Sequence, residues 1–177
     1  MKKDLIVLAV IVFIIVLLCQ GVKIQSVEEY YNEHLDDITE ESETVFLSIE
    51  CSTILDNMED LVSGLSAYVP VDGVIQERKE LVLRDGDTVY DILLRVTRVY
   101  RIQMECIYNK NFGSIYIQGI NNLYEFSCGE LSGWMYSVNG IYPNYGCSRY
   151  HLKDEDEIVW SYTCDLGRDL NSSLGGA

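Results

Sequence analysis

The sequence predicts an α+β domain in which a mixed sheet packs on one main helix, in a β-grasp-like arrangement. The clearest helical signal is a single amphipathic stretch over residues 87–102. Short segments with apolar residues at every second position stand before and after it, as expected of half-buried strands. One helix among several strands is most simply buried by one face of a sheet, which predicts this fold class.

Two strand-like segments precede the helix. Residues 44–51, TVFLSIEC, alternate between apolar and polar positions and predict a strand with one buried face. The residues of that face are Val45, Leu47, Ile49 and Cys51. Residues 54–61, ILDNMEDL, indicate a helical turn or a loop insertion. Residues 79–87, KELVLRDGD, predict a short strand that ends in an Asp-Gly turn.

The helix is predicted over DTVYDILLRVTRVYRI, with the side chain of Asp87 as its N-cap. Its apolar stripe consists of Val89, Ile92, Leu93, Val96 and Tyr100. Three further strands are predicted at IQMECIY (102–108), SIYIQGI (114–120) and EIVWSYT (157–163).

A hairpin is predicted at residues 133–142, GWMYSVNGIY, because Asn139-Gly140 suits a two-residue type I′ turn. The register places Trp134, Tyr136, Val138 and Ile141 on one face. Pro143 has no N–H to donate, so the second strand is expected to end there.

Residues 1–24 predict a signal peptide or a signal-anchor helix. Lys2 and Lys3 precede an apolar run from Leu5 to Cys19, which is typical of both. Positive charges before the run predict that the rest of the chain lies outside the cytoplasm. The localisation is therefore predicted to be extracytoplasmic, either membrane-anchored or secreted.

Residues 25–43 predict an acidic spacer, since residues 26–43 contain eight carboxylates and neither lysine nor arginine. Such a block repels itself and resists compact packing. A solvated spacer is the favoured interpretation, and a divalent-cation trap is the alternative. The folded domain is then residues 44–177. The formal net charge of the chain is −15, which argues against nucleic acid as a partner.

Cysteine usage agrees with export, where thiols tend to pair. Five cysteines follow the apolar run, and the chain has no CxxC motif, so no zinc site is predicted. Cys106 lies in a strand-like segment and is the expected unpaired thiol. Among the three pairings of the other four, Cys128–Cys147 and Cys51–Cys164 are favoured.

Residues 133–152 concentrate aromatic side chains, among them Trp134 and the tyrosines at 136, 142, 145 and 150. A small sheet with one helix cannot bury all of these rings. Some are therefore expected in the core, and the others are expected to form an amphipathic aromatic surface.

The stretch from residue 120 to residue 169 resembles bacterial relatives of the transcobalamin C-terminal domain, and the resemblance extends over residues 45–170. Its most specific parts are Gly133-Trp134, Val138-Asn139-Gly140, Pro143-Asn144-Tyr145-Gly146 and Thr163-Cys164-Asp165-Leu166-Gly167. The resemblance implies a β-grasp domain that binds a soluble ligand, with the Trp134 strand and the Tyr145-Gly146 loop facing a corrinoid. The chain departs from the pattern at Asp154-Glu155-Asp156, where Asp-Gly-Asp is expected, so a different turn or some backbone strain is predicted there.

No catalytic residues are predicted, because the chain has two histidines and none of the GxSxG, HExxH or P-loop motifs. The acidic run 154–157 is interpreted as a solvated turn rather than a calcium site, and no cofactor is predicted apart from a corrinoid as ligand. We therefore expect a non-catalytic extracytoplasmic binding module for a corrinoid-like or other small planar ligand. The alternative is a cell-surface adhesion or assembly module that recognises protein or glycan. The predicted ligand-binding residues are Trp134, Tyr136, Asn139, Tyr142, Asn144, Tyr145 and Gly146.

Overall fold

The computed structural model describes residues 36–170, and these form seven strands and one α-helix. The strands are β1 (Thr44–Glu50), β2 (Val74–Val82), β3 (Met104–Asn109), β4 (Ser114–Ile120), β5 (Leu123–Tyr124), β6 (Gly133–Val138) and β7 (Glu157–Thr163). The helix is α1 (Val89–Val99). Short 3₁₀ turns occur at Ser52–Asp56, Ser66–Tyr68, Cys147–Arg149 and Arg168–Leu170. The predicted α+β class with one main helix is confirmed.

Four strands form a mixed sheet in the order β2-β1-β7-β6. The two central strands, β1 and β7, run parallel, and the outer strands pair antiparallel with them. The predicted inner face of β1 is confirmed, because Val45, Leu47, Ile49 and Cys51 are all fully buried. Ile158 and Trp160 lie opposite Leu47 and Ile49 in the register and are buried as well. This pair of strands therefore forms the centre of the core.

The remaining strands form a second sheet in the order β3-β4-β5. A two-residue turn joins β4 to β5, and its residues Asn121 and Asn122 have φ values of 53° and 62°. Asparagine tolerates this left-handed conformation, which a type I′ turn requires. The single mixed sheet expected from the sequence is thus divided into two, and the short strand β5 is an element that periodicity did not predict.

Thr88, rather than the predicted Asp87, is the N-cap of α1. The Thr88 side chain accepts from the backbone N–H of Asp91, and the Asp91 carboxylate accepts from the N–H of Thr88. Asp87 is instead buried, where it accepts a hydrogen bond of 2.7 Å from Arg95. The predicted apolar stripe is buried apart from Tyr100, which follows the end of the helix and is exposed.

The predicted hairpin turn forms, but its second strand is very short. Val138 and Ile141 exchange both backbone hydrogen bonds, at 2.9 and 3.0 Å, around Asn139-Gly140. Trp134, Tyr136 and Val138, which were predicted to share one face, are all buried. Ile141 was assigned to the same face but is 59% exposed, because the chain leaves the sheet directly after the turn.

Part of the predicted acidic spacer contacts the folded domain. Asp36 forms a bidentate ion pair with Arg84, with N···O distances of 2.7 and 2.9 Å. The predicted signal or anchor helix at residues 1–24 lies outside the described residues. Within residues 36–170, no helix is both long and apolar enough to cross a membrane.

Candidate functional site

A groove runs between β4 and β6, where the two sheets meet without pairing to each other. It consists of three adjoining cavities of about 350, 190 and 290 Å³, and Tyr116 of β4 lines all three. We call it the central groove. Its shared wall residues are Ile115, Tyr116, Trp134, Met135, Pro143 and Gly146. A site with this lining is mostly apolar and aromatic, as small-molecule sites in proteins commonly are.

The loop after the hairpin forms one end of the groove. Tyr136 of β6 donates a hydrogen bond of 2.7 Å from its hydroxyl to the carbonyl of Tyr145. Tyr145 stacks on Tyr150, with ring centroids 5.6 Å apart and an interplanar angle of 11°. Gly146 packs so closely on Ser114 that a Cβ atom would lie 1.9 Å from the serine Oγ. These contacts hold the loop against β4 and leave Tyr145 half exposed at the groove.

Trp134 belongs to both the core and the groove wall. Its indole Nε1 donates a hydrogen bond of 2.7 Å to the carbonyl of Leu123, which links β6 to the second sheet. Its ring meets Tyr162 edge-on at a centroid distance of 5.2 Å. Because only 7% of Trp134 is exposed, it shapes the groove more than it offers surface to a ligand.

The opposite end of the groove exposes apolar side chains on strained backbone. Phe126 and Leu166 have φ values of 65° and 49°, in the left-handed region that non-glycine residues rarely adopt. Both are more than half exposed, and Leu131 beside them is also exposed. The N–H of Leu166 donates to the carbonyl of Leu131 at 3.0 Å, which brings these two segments together. Backbone strain of this kind is often found at binding sites.

Tyr116 and Glu125 supply the polar contact at the middle of the groove. The Tyr116 hydroxyl donates to the Glu125 carboxylate at 2.6 Å. Burial and this hydrogen bond raise the pKa of Tyr116, and burial likewise raises the pKa of Tyr136. Both phenols are therefore neutral at physiological pH and act as apolar surfaces with a hydrogen-bonding tip.

The structure brings five of the seven predicted ligand-binding residues to the groove. These are Trp134, Tyr136, Asn144, Tyr145 and Gly146. Tyr142 does not line any of the three cavities. Asn139 instead completes the hairpin turn, where its side chain donates to Asp156 and accepts from the N–H of Glu157, each at 2.8 Å.

The prediction missed the wall that β4 contributes, above all Tyr116. The strand predicted at residues 114–120 is present. The alternation there could not show that β4 faces β6, because that depends on how the two sheets pack. Phe112 and Arg149 were missed for the same reason, since separate loops bring them to the Tyr145 end of the groove.

The five cysteines in the described residues carry free thiols, so neither predicted disulfide is present. Cys128 donates to the carbonyl of Asn57 at 3.2 Å, whereas Cys147 donates to that of Ile115 at 3.5 Å, in a different part of the domain. The contacts of a cysteine depend on packing between elements, which spacing in the sequence does not determine. Burial raises the pKa of Cys51, Cys128 and Cys147 to about 12 in each case.

The acidic run 154–157 is used in backbone contacts. Asp154 accepts from the N–H of Thr44 at 2.7 Å, and Asp156 accepts from the N–H of Lys153 at 2.8 Å. Glu155 has a φ of 65°, so the strain predicted where glycine was expected is present. Among residues 36–170, no group of three or more His, Cys, Asp or Glu side chains is placed to hold a metal ion.

Comparison with known protein families gives a match for residues 86–164. The matching family is described as a domain of unknown function, DUF4430. The match extends from the turn before α1 to the end of β7, and so includes both strands that line the central groove. A comparison with curated proteins gives no match.

Two solved structures are similar to the chain at low identity. One is a protein from Ruminococcus gnavus ATCC 29149 that is provisionally named a metal-binding protein, with 9% identity and a TM-score of 0.43. That match covers 68% of this chain and 96% of the other. The second is haptocorrin in complex with Cbi, with 11% identity and a TM-score of 0.47. It covers 74% of this chain and 27% of the haptocorrin chain, so this chain spans about a quarter of haptocorrin's length.

Proposed function

We propose that the chain is a non-catalytic, extracytoplasmic binding module that holds a small ligand with a flat apolar surface in the central groove. One observation carries this proposal: three adjoining cavities share Tyr116 and have aromatic walls from β4, β6 and the loop after the hairpin. Tyrosine and tryptophan supply rigid apolar area with a polar tip, a combination enriched at binding sites. A corrinoid is the first ligand to test, because of the sequence resemblance to the transcobalamin C-terminal domain.

We propose further that this α+β fold is a β-grasp. A parallel pair at the centre of the four-stranded sheet, with α1 after β1 and β2 in the chain and before the later strands, supports it. Export is proposed from Lys2, Lys3 and the apolar run that follows them. Protease added to intact, wall-stripped cells is expected to digest the domain, and complete protection until lysis would contradict export.

The experiment for ligand binding is a titration of the full chain with cobalamin and cobinamide, for wild type and Tyr145→Ala. Tyr145 is half exposed and its ring stacks on Tyr150, which is itself only partly buried, so the substitution is expected to leave the melting temperature almost unchanged. Loss of a stacking ring at the groove is expected to weaken binding by roughly 1–2 kcal/mol. Tyr108→Ala is the matched control, since Tyr108 is an exposed tyrosine that does not line the three cavities.

Unchanged affinity in Tyr145→Ala, together with a large fall in melting temperature, would show that this loop serves folding rather than recognition. A second candidate function is recognition of a protein. It is favoured over recognition of a glycan because β6 is an edge strand of the four-stranded sheet, and a peptide can add to such an edge as a further strand.

A further inference from the structure

The edge of β6 that faces the central groove has unpaired backbone groups. Asn139 donates its N–H to the carbonyl of Glu157 at 2.8 Å, which fixes the alternation of hydrogen bonds between β6 and β7. By this alternation Gly133, Met135 and Ser137 direct their N–H and C=O groups toward β7. Trp134 and Tyr136 therefore direct theirs away from β7. Among the described residues, none donates to or accepts from these main-chain groups.

The hairpin leaves this edge open because its second strand stops early. The chain pairs with Val138 through Ile141 and then reaches Pro143, which has no N–H. Strand β4 lies across the groove but forms its ladders with β3 and β5. Trp134 and Tyr136 are both less than 10% exposed, and both line the cavity of about 190 Å³, whose walls are mostly apolar. Backbone N–H and C=O groups that are buried in an apolar cleft are normally hydrogen-bonded.

We propose that an extended peptide adds to β6 in the central groove as a further strand, pairing with the main chain of Trp134 and Tyr136. This names a partner class for the proposed binding site, and it rests on the proposed function because both use the same groove. The two N–H groups are roughly 7 Å apart, the two-residue repeat of any extended strand. Strand addition takes its affinity from the main chain and its specificity from pockets for alternate side chains. The cavities on either side of Tyr116 are such pockets.

The charges at the two ends of the groove indicate which peptides fit. Glu125 and Glu130 line the end beside Gly133, where a Cβ on that glycine would lie 3.8 Å from the Cβ of Glu125. Arg149 lines the opposite end, beside Tyr145. A basic residue at the Gly133 end is therefore complementary to the site. The partner is an extended segment with apolar side chains at alternate positions and a lysine or arginine at one end.

The experiment uses the full chain labelled with ¹⁵N and a defined peptide set. The probes are capped heptapeptides that begin with lysine and alternate threonine with Val, Ile, Phe or Tyr. For the best binder, hydrogen exchange at the Trp134 and Tyr136 amides is expected to slow by about tenfold or more, because both become hydrogen-bonded. Two N-methylated versions of that peptide, blocked at odd or at even positions, serve as matched controls. Only the version blocked on the edge toward β6 should lose binding.

Two further variants test the proposed preference for a basic residue at the Gly133 end of the groove. Glu130→Lys is expected to weaken the affinity for the peptide that begins with lysine by about fivefold. It is expected to strengthen the affinity for the same peptide with glutamate in the first position. Glu80→Lys, an exposed reversal on β2, is expected to change neither affinity. Equal effects of the two variants would overturn this preference.

Strand addition is overturned if no peptide of the set slows exchange at Trp134 and Tyr136, or if both N-methylated versions bind equally well. A parallel titration with cobinamide separates this outcome from the proposed small-ligand function. Binding of cobinamide without any peptide would overturn strand addition alone, and binding of a peptide without cobinamide would overturn a corrinoid as the small ligand alone. Failure of both would overturn both.

Discussion

Replacing Trp134 by phenylalanine tests whether this residue serves chiefly the core. Trp134 donates to the carbonyl of Leu123 at 2.7 Å and meets the ring of Tyr162 edge-on. Phenylalanine leaves that carbonyl without its donor, which costs about 1–3 kcal/mol. Weakening of the edge-on contact adds about 0.5–1 kcal/mol. We expect the free energy of unfolding to fall by about 2–4 kcal/mol and the melting temperature by roughly 5–15 °C.

Trp160→Phe is the matched control for this prediction. Trp160 is also buried, but its Nε1 has no hydrogen-bond partner among the described residues. The same change of ring then removes no hydrogen bond, so Trp160→Phe should destabilise the domain less than Trp134→Phe does, by about the 1–3 kcal/mol assigned to the Leu123 hydrogen bond. Urea unfolding followed by far-UV circular dichroism measures both variants. Equal losses in the two would refute the role given to the Leu123 hydrogen bond, and a loss of ligand binding at unchanged stability would show that Trp134 is mainly a recognition residue.

Three further predictions concern stability. Glu155→Gly should stabilise the domain by about 0.5–1 kcal/mol, because Glu155 has a φ of 65° that glycine adopts without strain; a lower urea midpoint would contradict this. Asp87→Asn should cost about 3–5 kcal/mol by leaving the buried Arg95 guanidinium without its carboxylate. The double variant Asp87→Leu with Arg95→Met should lose less free energy of unfolding than Asp87→Asn does. An equal or larger loss in the double variant would contradict this explanation. Burial raises the pKa of Cys51 and Cys147 to about 12, above about 8.5 for an unfolded thiol. The folded state then keeps protons that the unfolded chain releases, so stability is full below pH 8.5 and should fall as the pH rises toward 12; urea midpoints that stay constant up to pH 11 would contradict this.

Local patterns along the chain are sufficient to predict most of the strands, the helix and most of their buried faces. Residues 44–51, 114–120 and 157–163 were correctly assigned to strands, because a period of two in the side chains follows directly from the pleat of an extended chain. The stripe on α1 was equally readable, since a helix places residues three and four apart on one face. Asn139-Gly140 fixed the hairpin turn through its tolerance of positive φ.

Which elements meet depends on long-range packing, and the candidate site is formed by that packing. Tyr116 became the centre of the groove because β4 packs opposite β6 without pairing to it, and no local pattern in residues 114–120 encodes this arrangement. The thiols of Cys128 and Cys147 were separated for the same reason. Asp87 is not the helix cap that was predicted and instead forms an ion pair with Arg95, eight residues further along the chain. Contacts between residues distant in the sequence arise from the packing of whole faces, which depends on the combined shape of many side chains rather than on any short stretch.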